Sequence, residues 1–225
     1  MESGSAPRHW VPDPRRGRVI ALLGAESTGK STLARELQDA LAGEGHDVTL
    51  VEEYLREFCN SFGRTPYRHE QQAIAHEQSE RIERAASDHE LVIADTTALM
   101  IAVYSDIVFA DPSLYASALR AHSVYDLALL TSIDLPWQAD GHQRDGPHVQ
   151  GPVDDRVRDA LSGAEFSYSV VCGTGAQRLA NALTSVRRAL TLTDRQEAID
   201  SAPPRWTWIC ERCGDPNCER HPLAR

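Results

Sequence analysis

Gly24-Ala25-Glu26-Ser27-Thr28-Gly29-Lys30-Ser31-Thr32 follows the apolar run Arg18-Val19-Ile20-Ala21-Leu22-Leu23 and leads into the helix-forming Leu33-Ala34-Arg35-Glu36-Leu37. It satisfies the pattern G-x-x-x-x-G-K-[ST], and strand, glycine-bearing turn and helix form the setting in which that pattern cradles phosphate. Glycine lets the backbone curl so that successive N–H groups converge on one anion, and the helix N-terminus adds partial positive charge. The pattern places Lys30 on the β- and γ-phosphates of a nucleoside triphosphate. Ser31 then offers its hydroxyl to Mg²⁺, with Thr32 as second-choice donor. ATP or GTP is the expected ligand.

Outward from this stretch, four more short apolar runs read as strands: Val48-Thr49-Leu50-Val51, Leu91-Val92-Ile93-Ala94, Leu127-Ala128-Leu129-Leu130 and Tyr168-Ser169-Val170-Val171-Cys172. They alternate with helical stretches, which implies a parallel sheet covered on both faces and joined by right-handed crossovers. The expected fold is α/β: a three-layer P-loop sandwich around a five-stranded parallel sheet, followed by a short C-terminal Cys-rich tail. Ligands of such sheets lie beyond the carboxyl ends of the strands. Glu52-Glu53-Tyr54-Leu55-Arg56, Asp95-Thr96-Thr97 and Thr131-Ser132-Ile133-Asp134 occupy those positions. Asp95 reads as a carboxylate near Mg²⁺, directly or through water, against the alternative of a cap for the helix-like run from Ala98.

The longest helix is expected over about Tyr67 to Ser87, and its His69, Glu70, Gln71, Gln72, His76, Glu77, Gln78 and Glu80 read mostly as a solvated face. His69 and His76 lie two helical turns apart, too far to share a metal. Residues 1 to 17 hold three prolines and two glycines and read as a loose leader. The catalytic body is expected over 18–198 and the tail over 199–225. With 23 basic against 33 acidic residues the net charge is −10, which disfavours nucleic acid and anionic membranes as partners. No apolar run suits a membrane span or secretory signal, so a cytoplasmic enzyme is the expectation.

These features, with Glu53-Tyr54-x-Arg56, Pro136-Trp137-x-Ala139-Asp140-Gly141 and Gly175-x-x-Arg178, resemble the ribosylnicotinamide kinase domain of NadR-type proteins over roughly residues 18 to 190. The Pro-Trp-x-Ala-Asp-Gly segment is the discriminating part, because unrelated enzymes share the phosphate loop. The resemblance implies transfer of the γ-phosphate of ATP to the 5′-hydroxyl of nicotinamide riboside. It implies Glu53 as the base, with a pair of solvated acids at a helix start as the alternative. Arg56, three residues on, steadies that carboxylate or touches substrate. Tyr54, Trp137 and Asp140 join the substrate side, Trp137 either stacking on the pyridine ring or filling the sheet edge, and Arg178 joins the nucleotide side.

Asp134 to Asp155, with Gly141, Gly146, Pro147, Gly151 and Pro152, reads as a lid before a helix beginning near Val153. Arg144 is its candidate for charge stabilisation, with Arg156 second; Arg144 stands three residues after Gly141, where the family pattern has two. No His-x-Gly-His signature and no helix-turn-helix region are found, so a stand-alone kinase is expected.

Cys59 and Cys172 stand alone, whereas Cys210, Cys213, Cys218 and His221 make C-x2-C-x4-C-x2-H. That spacing suits a closed, structural Zn²⁺ site, against an unstructured reducing tail or a redox pair. The metal would anchor Trp206 and Trp208 or form a docking surface for a partner protein. Two functions besides nicotinamide riboside phosphorylation fit the residues: a nucleotide-dependent switch without small acceptor, and a kinase for another nucleoside.

Overall fold

The computed structural model describes residues 16–138 and 146–201, with side chains to Leu192. Asp140 and Arg144 of the lid reading, Trp206, Trp208 and the candidate zinc ligands Cys210, Cys213, Cys218 and His221 lie outside the described residues, as does nearly all of the leader.

The chain runs β1 (Arg18–Leu23), α1 (Lys30–Gly43), β2 (Val48–Val51), α2 (Tyr54–Phe62), α3 (Gln71–Asp88), β3 (Leu91–Asp95), α4 (Ala98–Phe109), α5 (Tyr115–His122), β4 (Leu127–Thr131), α6 (Gln150–Gly163), β5 (Ser169–Val171) and α7 (Gly175–Ser201). The five strands form one sheet in the order β2-β3-β1-β4-β5, every neighbouring pair parallel. This is the three-layer α/β P-loop sandwich that the alternation of apolar runs and helices implied. The described residues to Arg187 form one compact unit; those from Arg188 belong to a second, of which the structure describes the helical run to Ser201.

Strand register decides which side chains meet. On one face of the sheet, Val19, Val51, Val92 and Ala94 pack with Ile82 and Ala86 of α3. Leu23, Ala128 and Leu130, farther along that face, join α4, where Ala98 through Val103 are all buried. A helix apolar on every side belongs in a core, and α4 packs among α3, α5 and α6. Helix α1 lies against β1, β2 and β3 through its own apolar stripe of Leu33, Ala34, Leu37 and Leu41. Each fully buried leucine or isoleucine contributes roughly 1.5–3 kcal/mol.

One alternative falls away and two readings change. Asp95 is the last residue of β3, and the cap of α4 is Thr97, whose side chain accepts from the Leu99 N–H. Helix α6 begins at Gln150, after a short 3₁₀ turn at Pro147–Val149; Gly151 and Pro152 therefore belong to a first helical turn, where proline is tolerated. Within α3, Gln71 and Gln78 are buried at 5% and 0% exposure, so they leave the solvated face.

Candidate active site

Because β1 is central, the ends of β3 and β4 flank the loop that follows it. Gly24 has φ +141°, and a Cβ there would lie 2.1 Å from the Thr131 Oγ1 at the end of β4. Thr131 Oγ1 is 2.7 Å from Thr28 Oγ1 and 3.1 Å from the Leu23 carbonyl, while Thr28 Oγ1 lies 2.7 Å from the Ala25 carbonyl. Two hydroxyl protons thus serve three contacts, and both threonines are fully buried. Gly24→Ala combines the strain of positive φ with overpacking and is expected to destabilise the protein by ~3 kcal/mol or more. A urea midpoint matching wild type would show that the loop does not sit on Thr131 as described.

Gly29, at φ 75°, caps α1, and Lys30 is the first helical residue. The Lys30 Nζ donates to the Gly24 and Ala25 carbonyls at 2.8 and 2.7 Å, which folds the ammonium over its own loop. A cavity of about 550 Å³ along this loop is lined by Gly29 to Leu33, Pro136, Gln138 and Arg178, among others.

The pairing of Leu22 with Asp95 brings that carboxylate beside the root of the loop, where it is 4% exposed and its Oδ1 has no partner among the described residues. Glu53 stands at the N-cap of α2 without making a capping bond. Its side chain is 16% exposed and accepts from Arg56 at 3.4 Å. Burial pushes the Glu53 carboxyl above its ordinary value of 4.5; Lys30 opposes that rise, Asp95 adds to it and Arg56 opposes it. Lys30, Glu53, Arg56 and Asp95 therefore act on one another in one place. Glu52, by contrast, is exposed and pairs with Arg35 at 2.9 Å.

Ser31, Glu53, Arg56 and Asp95 share a cleft of about 410 Å³. Hydroxyl and carboxylate oxygens are the hard donors Mg²⁺ selects, and Mg²⁺ keeps most of its shell as water and phosphate. Among the described residues no group of three or more His, Cys, Asp or Glu is placed to hold a metal. Ser31 and Asp95, with the orphaned Oδ1, fit an ion carried in by its nucleotide rather than one held by a protein cage.

Lys30 and Glu53 also line a cavity of about 200 Å³, walled by Cys59, Met100, Tyr104 and Phe109 and reached by Arg56, Gln71 and Thr96. Gln78 of α3 accepts from the Tyr54 N–H at 2.7 Å and donates to the Glu52 and Thr96 carbonyls at 3.4 and 3.2 Å. It ties the residues on either side of Glu53 to the residue after Asp95. A glutamine in a polar helix gave no sequence signal of this; only the burial of one α3 face does.

Arg178, 4% exposed, donates to the Thr28 carbonyl at 2.7 Å, to Asp134 Oδ1 at 2.8 Å, and to the Gly173 and Ser132 carbonyls at 2.9 and 3.3 Å. It braces the back of the phosphate loop. Burial would raise the Asp134 carboxyl, but the Gly173 N–H and Arg178 outweigh it and hold it below its ordinary range. The Ser27 hydroxyl meets the Gln138 carbonyl and N–H at 3.1 and 2.7 Å, and Gln150 donates to the Glu26 carbonyl at 2.7 Å. The described residues before and after 139–145 are thus tied to adjacent positions of the loop. Tyr54 lies under the Arg81 guanidinium at 4.3 Å, and Arg156 pairs with Asp106 at 2.9 Å. Trp137 is half-buried, its Nε1 unpartnered among the described residues.

Comparison with solved structures gives a NadR protein in complex with NR at TM-score 0.64 and 18% identity, over 77% of this chain and 50% of that one. A NadR protein in complex with NAD and AMP-PNP follows at 0.60 and 18%, over 85% and 52%. Thymidylate kinase from Ehrlichia chaffeensis matches at 0.56 and 14%, over 78% and 99%. The chain spans about half the length of the NadR chains it matches, and at these identities the likeness is one of fold. No curated protein matches the sequence. No described helix is long and apolar enough to cross a membrane. The family described as AAA domain matches residues 19–178, from the first strand to the arginine that braces the phosphate loop, and the chain belongs to that family.

Proposed function

We propose that the protein is an ATP-dependent small-molecule kinase that phosphorylates the 5′-hydroxyl of nicotinamide riboside to give nicotinamide mononucleotide. The observation that carries this reading is the second cavity: Lys30 borders both the phosphate-loop cavity and an apolar-walled space suited to a small acceptor, and Glu53 lines that second space. A nucleotide switch needs no such space. The fold shared with a NadR protein bound to NR and with a thymidylate kinase supports the same class.

In this reading the backbone N–H groups from Gly24 to Thr32 and the Lys30 ammonium hold the triphosphate. Glu53 accepts the 5′-hydroxyl proton as the new O–P bond forms and the bond from γ-phosphorus to the bridging oxygen breaks, releasing ADP. Arg56 orients Glu53. Arg178 contributes by fixing the Thr28 carbonyl. Mg²⁺, held by Ser31 and Asp95, would neutralise charge on the β- and γ-oxygens. Arg144, close in sequence to anchored Gln138, supplies the lid cation.

The test is purified protein with Mg-ATP and nicotinamide riboside, adenosine, uridine or no acceptor, scored by mass spectrometry. Nicotinamide mononucleotide in the first sample alone is the expected result. ATP consumption that is equally slow in every sample would overturn the kinase reading, and product from another nucleoside alone would overturn the acceptor.

A further inference from the structure

The cavity beside Glu53 is lined by groups of different chemistry. Lys30, Glu53 and Arg56 bring charge; Cys59, Met100, Tyr104 and Phe109 bring apolar surface. Gln71, the first residue of α3, also lines this space, and the phosphoryl-transfer steps leave it without a role. It is 5% exposed, and its side-chain oxygen is shut from solvent without a hydrogen-bond partner among the described residues. Buried polar atoms are nearly always paired, so an orphan on a cavity wall points to a partner supplied by the ligand. The terminal amide torsion of glutamine is broad, so a modest rotation presents its oxygen and NH₂ to the cavity together.

We propose that Gln71 reads the ring substituent of the acceptor through a paired amide–amide hydrogen bond and so selects a carboxamide over a carboxylate. Its oxygen accepts from the carboxamide N–H and its NH₂ donates to the carboxamide oxygen. A carboxylate has two acceptors and no donor, so one of the two bonds becomes oxygen facing oxygen. The apolar wall supplies area for the flat ring, and the amide supplies the discrimination. This rests on the nucleoside kinase reading above and adds the residue that chooses among ribosides.

The experiment compares kcat/KM for nicotinamide riboside and nicotinic acid riboside in the wild type, Gln71→Leu and Gln71→Asn. The wild type is expected to favour the carboxamide by about 10–100-fold, since a site built to pair a polar group rejects the analogue that cannot pair. Gln71→Leu, which gives up no hydrogen bond to the protein at the oxygen, should bring the two within ~3-fold through a higher KM for the carboxamide riboside. Its kcat and its KM for ATP should stay within ~2-fold of wild type, an outcome that general loosening of the fold would not give. Gln71→Asn, which keeps the amide but shortens its reach, should fall between. An unchanged preference in both variants, or a wild type indifferent to the two ribosides, overturns the role of Gln71. A wild type that phosphorylates neither riboside overturns the acceptor assignment itself, and that failure shows in the unmutated protein.

Discussion

Lys30→Ala is expected to lower kcat about 10³-fold while leaving the melting temperature within a few degrees of wild type; removing one positioned donor at developing charge typically costs ~10²–10³-fold, and here a full charge goes with it. The lysine is half-buried at the start of α1, and its ammonium bonds two carbonyls of the loop. Alanine keeps the helix, since no residue has higher helix propensity. The loop retains its own braces, Thr28 with Thr131 from one side and Arg178 from the other. Turnover would be followed by ADP release and the fold by circular dichroism. A variant turning over at more than about a tenth of the wild-type rate would remove the phosphate-loop argument, because lost charge at a transferring phosphoryl group cannot be so mild. Since Lys30 also holds down the Glu53 carboxyl, the variant should raise that carboxyl further. Mutations at the two residues will therefore not add independently.

The sheet was legible because its strands are buried on both faces and so appear as short apolar runs; Arg18–Leu23 and Val48–Val51 coincide with the runs read from sequence. The phosphate loop was legible because its glycines serve backbone geometry that only glycine satisfies cheaply. Its supports had no such local signature: Thr131 entered only as a strand-end residue and Arg178 only through the family resemblance. Thr131 and Arg178 reach the loop only after the chain has crossed to β4 and β5, contacts separated by 103 and 150 residues. No local periodicity encodes them. Gln78 was read as solvated because a helix of mixed polar residues does not announce which face turns inward; His76 shares that helix, whereas His69 lies in the 3₁₀ turn before it. Asp95 read as a carboxylate near a metal, with a cap of α4 as the alternative; the Thr97 cap and the strand assignment of Asp95 remove that alternative. The boundary of α6 was missed for a related reason, since Gly151 and Pro152 resemble loop residues yet fit a first turn.

Glu53→Gln carries the other large effect, and it separates chemistry from stability. Loss of a positioned base is expected to reduce kcat by about 10²–10⁴-fold with the KM for ATP little changed. Glutamine preserves the shape and can still accept from Arg56, so a collapse of the site is not the cause. The stability of the nucleotide-free protein should move the opposite way. Burial raises the native carboxyl above 4.5, so between that value and its native pKa the folded state binds more protons than the unfolded state. Stability contributed by the protonated form is then fully present below about pH 4.5 and is lost as pH rises through the native pKa. Once ionised, the wild-type side chain is a mostly buried carboxylate that Asp95 disfavours, a cost that Glu53→Gln relieves. The variant should therefore be the more stable protein at pH 7, with a smaller fall in unfolding free energy from pH 4.5 upward. Chemical denaturation of both proteins across that range measures it. A variant that is inactive and less stable at neutral pH would mean that Glu53 is held ionised as a structural partner of Arg56. A variant of undiminished activity would place the base elsewhere.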